Sequence, residues 1–91
     1  MKIHIIDGKY MTSPASAHSY IASTLNFPAY YGKNLDALAD CLGELGKNTA
    51  VVFINSRSAV SQLGAYGRKL VTVFKDISSE ENSFELVIYQ G

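Results

Sequence analysis

A single cysteine, Cys41, leaves no partner for an internal disulfide and too few thiols for a cysteine-rich zinc site, which points to a reduced compartment. Apolar runs are short. The stretch Ile3-His4-Ile5-Ile6 is cut by Asp7, well short of a secretory leader core, and no segment approaches the ~18–20 apolar residues of a membrane span. Neither sign of charge is in surplus: eight Lys+Arg meet eight Asp+Glu, for a formal net charge of +0. That balance removes the basic excess by which nucleic-acid binders are usually recognised, although a neutral total can still hide separate patches of each sign. Repeats, linkers and low-complexity tracts are also missing. Ninety-one residues, 47% hydrophobic and 18% charged, therefore read as one globular domain spanning residues 1–91, cytoplasmic and without direct nucleic-acid or membrane contact.

Lys2 to Ile6 reads as a strand ended by the turn signal Asp7-Gly8. Ser13-Pro14 supplies an N-cap with proline at the first helical position, and Ala17, Ile21 and Leu25 then recur every four residues. Asn26 to Lys33, with Pro28, Gly32 and the adjacent Tyr30 and Tyr31, reads as a loop. Asn34 caps a second helix whose Leu35, Leu38, Leu42 and Leu45 share one side. Gly46-Lys47-Asn48 ends it, and Ala50 to Ile54 predicts a strand buried on both faces. One long helix capped by Ser56 or Ser58 follows, with Val60, Leu63, Leu70, Val71 and Phe74 buried and Gly67 on that face for close backbone approach. Ser78 to Ser83 is polar loop, and Phe84 to Tyr89 is the last strand. Strands separated by helical crossovers predict an α/β fold: a three-stranded parallel sheet with right-handed connections, packed by three to four helices.

Catalytic chemistry finds little support. His4 and His18 lack metal-binding spacing, His18 sits at the edge of the first helical stripe, and Cys41 flanks the leucine stripe as a small hydrophobe. The glycines form no phosphate-binding pattern. No catalytic residue, metal ligand or cofactor is predicted. The informative feature is Asp36, Asp40 and Glu44, four residues apart, with no Lys or Arg between Lys33 and Lys47. Such a run serves either as a solvated face or as an interface. The missing i,i+4 cations and the tyrosine-bearing loop leading into it favour a surface for a cationic partner or a mimic of phosphate. Asp76, Glu80 and Glu81 add acids after the third helix.

The segment Tyr30-Tyr31-Gly32-Lys33-Asn34-Leu35-Asp36-Ala37-Leu38-Ala39-Asp40-Cys41-Leu42, preceded by Pro28, resembles the signature of the barstar family, the intracellular inhibitors of barnase-type secreted ribonucleases. Val73-Phe74-Lys75-Asp76 resembles a second family segment. The resemblance implies a monomeric, non-enzymatic inhibitor that plugs a cationic ribonuclease with the helix at Asn34 and its preceding loop. It implies partner contacts at Tyr30, Asn34, Leu35, Asp36, Ala39, Asp40, Gly43, Glu44 and Asp76. By the same resemblance Asp40 takes the place of a substrate phosphate, Asp36 pairs with a nearby base, Tyr30 packs on the catalytic histidine and Asp76 adds an acidic contact. The family's namesake carries tryptophan at the position of Ala39, glutamate at Asp76 and glycine at Glu44. A binding or immunity module for a cationic protein other than a ribonuclease, and a small enzyme using His18 or Cys41, are the alternatives.

Overall fold

The computed structural model describes residues 1–91. Its elements in chain order are β1 (Lys2–Asp7), α1 (Pro14–Leu25), α2 (Leu35–Gly43), β2 (Thr49–Ile54), α3 (Ser56–Leu63), α4 (Ala65–Ser78) and β3 (Glu85–Ile88), with a short 3-10 turn at Gly8–Tyr10. The sheet is parallel in the order β1-β2-β3, with Ile6 opposite Phe53 and Phe53 opposite Ile88. The expected three-stranded parallel α/β fold is present, with four helices.

Period-two alternation sorts the strands. Ile6, Val51 and Phe53 are fully buried beneath the helices, whereas Ile3, Ile5, Val87 and Tyr89 on the opposite face are exposed. β2 is therefore not buried on both faces as its unbroken apolar run predicts: Val52 and Ile54 are only half-buried. The core is closed by aromatic contacts along α4. Phe53 meets Phe74 edge to face at 5.3 Å between ring centroids, and Phe74 meets Phe84 in the same manner at 6.4 Å.

Helix ends follow local chemistry. Ser13 accepts from the Ser16 amide while the Ser16 hydroxyl accepts from the Ser13 amide, a reciprocal cap in front of Pro14. Asn26, left-handed at φ 58°, stops α1. The predicted long third helix is two helices. Gly64, at φ 62° and ψ −134°, occupies backbone space that side chains other than glycine's avoid, and α4 turns back against α3 there. The N-cap position of α3 is Asn55, itself left-handed at φ 53°, and neither Ser56 nor Ser58 caps it. α4 takes in Ser78, the residue at which the loop is expected to start.

Gly67 occupies the close approach that its sequence position suggests. A Cβ there would stand 2.7 Å from the Ala59 carbonyl oxygen and 2.9 Å from the Val60 Cα, both backbone atoms of α3. At Gly43, at the end of α2, a Cβ meets nothing within 4 Å. Gly67→Ala should therefore destabilise the protein by about 1–3 kcal/mol through overpacking. Gly43→Ala should leave stability unchanged or raise it by up to ~1 kcal/mol through helix propensity. Urea unfolding of the two variants beside the parent checks the pair, and equal effects would contradict it.

Candidate functional site

The loop before α2 separates two neighbouring tyrosines. A turn in which the Tyr31 amide donates to the Pro28 carbonyl drives Tyr31 inward, where it is 8% exposed and packs on Phe27, while Tyr30 points out at 87% exposed. Lys33, left-handed at φ 55°, then turns the chain into Asn34. The Asn34 side-chain oxygen accepts from the Ala37 amide at 2.8 Å, and its side-chain nitrogen reaches the Gly32 carbonyl at 3.4 Å. Asn34 is thus the expected cap, and it fixes the angle at which α2 leaves the loop.

Leu38 and Leu42 anchor α2 in the core with no exposed surface. Asp36 and Asp40 lie on the outward face with Gly43, and Ala39 and Leu35 are half-buried along its flank. Glu44 is the C-cap residue rather than part of the helix, still close to helical at φ −89° and ψ −8°, so the acidic row extends onto the helix end. Asp36 in the first turn suits the positive end of the helix dipole, whereas Glu44 opposes the negative end. Asp76 is exposed near the end of α4, which packs against α2. The side-chain hydrogen bonds of the fold use none of these four carboxylates.

His18 is where the residue pattern misleads most. It is not at the edge of a stripe but 1% exposed, between two phenols. Its Nδ1 lies 2.6 Å from the Tyr31 hydroxyl and its Nε2 lies 2.5 Å from the Tyr66 hydroxyl. A neutral imidazole has one donor and one acceptor nitrogen, and a phenol supplies either role, so both bonds are satisfied without a charge. Burial holds the His18 pKa below its ordinary value and pushes those of Tyr31 and Tyr66 upward. The relay joins α1, the site loop and α4. One sequence signal was available for it: His18 precedes Ile21 and Leu25 by three and seven residues, on the buried side of α1.

His18 and Cys41, the two residues considered for catalysis, are both engaged in packing. Both nitrogens of His18 are occupied and shielded from solvent. Cys41 is half-buried, and its thiol pKa is raised first by burial and then by Glu44 and Asp40, which keeps it protonated and weakly nucleophilic. No helix is long and apolar enough to cross a membrane.

Fold and surface together define a small parallel α/β protein that presents an acidic helix and an exposed tyrosine. The chain belongs to the barstar family: it matches the family described as Barstar (barnase inhibitor) over residues 1–89. It is similar to the Bacillus subtilis (strain 168) protein named "Putative ribonuclease inhibitor YrdF", 33% identical over 90 residues that cover 97% of this chain and 99% of that one. Among solved structures it resembles the Walker-type ATPase PABY2304 of Pyrococcus abyssi, at a TM-score of 0.60 and 14% identity. That likeness covers 97% of this chain but 33% of the ATPase, and it is one of fold alone. Family membership supports a ribonuclease-inhibitor role.

Because burial depresses the His18 pKa in the folded state, the unfolded chain takes up a proton at higher pH than the native one. The resulting stability is fully present above the unfolded value of about 6.5 and is lost as pH falls toward and through the folded value. The protein should therefore unfold at lower urea at pH 5 than at pH 7.5. His18→Gln should be less stable at pH 7.5 yet much flatter across this window. An unchanged pH slope in the variant would contradict the relay's role.

Proposed function

We propose that this protein is an intracellular, monomeric inhibitor of a barnase-type extracellular ribonuclease, acting without a cofactor by filling the enzyme's cationic cleft with α2 and the loop before it. The observation that carries this reading is the unpaired acidic row of α2, held outward by leucines on the opposite face, in a chain of this family. A ribonuclease must gather positive charge to bind RNA, and rigid carboxylates can occupy that anion site without the ordering cost of a flexible chain. In this reading Asp40 stands for a substrate phosphate, and Asp36 and Asp76 meet cations at its margin. Tyr30 packs on the enzyme, while Asn34, Leu35, Ala39 and Gly43 form the close-fitting surface between them. Ala39 supplies no aromatic anchor, and Glu44 adds charge at the far end, so specificity shifts toward a more cationic rim.

Asp40→Ala separates binding from folding. The change removes like-charge neighbours at i−4 and i+4 and installs a better helix former, so the free protein should be unchanged or more stable by up to ~0.5 kcal/mol. Inhibition should weaken by about 30-fold or more, because a desolvated cation site is left unfilled, a loss of ~2 kcal/mol or greater. Thermal unfolding of the free variant beside RNA-cleavage assays with a barnase-type enzyme tests both signs. A variant that unfolds earlier yet inhibits as well as the parent would remove the phosphate-mimic role.

Association should also depend on salt. The acidic row steers a cationic partner, so the on-rate should fall at least about tenfold as the Debye length shrinks between ~10 mM and ~500 mM NaCl. Stopped-flow mixing measures it, and a rate indifferent to salt would contradict electrostatic steering.

A further inference from the structure

The largest groove of the molecule, about 350 Å³, lies away from α2, between α3, α4 and the end of β3. Its volume falls at the small end of ligand pockets, which run from roughly 300 to 1,000 Å³. Arg57, Arg68 and Lys75 line it over a floor of Val60, Val71 and Ile88, and no carboxylate lines it. No residue of α2 contributes, so the groove shares none of its lining with the acidic row.

Two features of this clustering run against folding. Arg57 sits in the first turn of α3 and Arg68 in the first turn of α4, where the helix dipole favours anions, and neither turn carries an acid. Three cations are also drawn toward one concavity without an opposing charge, in a chain whose total charge is zero. An anion in the groove reverses both penalties. The α3 amides are not free for it, since those of Ser56 and Arg57 donate to the carbonyls of Tyr89 and Gln90. Recognition therefore falls to side chains, and the Gln90 side-chain oxygen already orients one guanidinium nitrogen of Arg57 at 3.3 Å. Guanidinium pairs match phosphate oxygens in forked geometry, and the aliphatic floor offers a dry surface to a flat apolar body beside them.

From this arrangement we propose that the groove binds a small organic phosphate of mononucleotide size, its phosphate between Arg57, Arg68 and Lys75 and its apolar ring on Val60, Val71 and Ile88. The assignment is independent of the inhibitor reading. The experiment titrates adenosine 5′-monophosphate into ¹⁵N-labelled protein, with inorganic phosphate and adenosine as separate arms, and repeats it on the Arg57→Gln/Arg68→Gln double variant. Both arginines are exposed, and the variant's melting curve and spectrum verify its fold. Saturable shifts confined to residues 56–60, 68–75 and 88–90, at least tenfold weaker in the double variant and weaker for each separate arm, are the expected result. Shifts that fail to saturate by 20 mM, that are equally large at Lys2, Lys9 and Lys47, or that persist undiminished in the variant would overturn the site. Inorganic phosphate or adenosine binding as tightly as the nucleotide would overturn the ligand assignment.

Discussion

Between two phenols and out of reach of water, the imidazole of His18 makes both hydrogen bonds open to it in the neutral form, and three segments distant in sequence meet at that ring. A buried polar group left unpaired costs more than a satisfied one gains, so such a network tolerates little displacement of any member. Its effect on the surface is direct. With Tyr31 tied inward to His18, the peptide that follows Tyr30 has a fixed direction, and Tyr30 is left facing solvent. The same fixed loop delivers Asn34 to its capping position, and the cap orients α2. Tyr66 holds the other end of the relay on α4, the helix that also carries Asp76. The parts of the acidic surface thus share one buried reference point.

Charge is distributed with equal consequence. α2 gives its inner side to Leu38 and Leu42 and keeps its acids unpaired on the outer side, so packing stability and surface charge reside on different faces of one helix. Away from α2, the cations of α3 and α4 gather around a groove. The zero net charge of the composition thus conceals two separate patches of opposite sign.

The three strands, their parallel connection and the position of α2 were legible because they rest on apolar runs separated by helical stretches, the Asn34 cap and leucine spacing. The Gly64 break was hidden because Leu63 and Leu70 are seven residues apart, which keeps the apolar stripe in phase across it. The open sheet face was hidden because apolar content does not report cover. Consecutive crossovers of one hand between strands in the order β1-β2-β3 send every helix to one face, leaving Ile3, Ile5 and Val87 without a layer. The acidic face and its tyrosine were visible as residues, and the family pattern supplied the roles proposed for them. His18 and Tyr66 were missed because their partnership spans 48 positions and exists only once α1 and α4 are packed.

The acidic face of α2 and the Tyr30 loop are the surface proposed to meet a ribonuclease. Chemical-shift mapping of the ¹⁵N-labelled protein with a catalytically inactive barnase-type ribonuclease tests it most directly. The expected result is a one-to-one complex whose perturbations concentrate at residues 28–44 and around Asp76, with the open sheet face and the cationic groove unaffected. A one-to-one complex whose perturbations fall on the sheet face or the groove, with α2 silent, would contradict it.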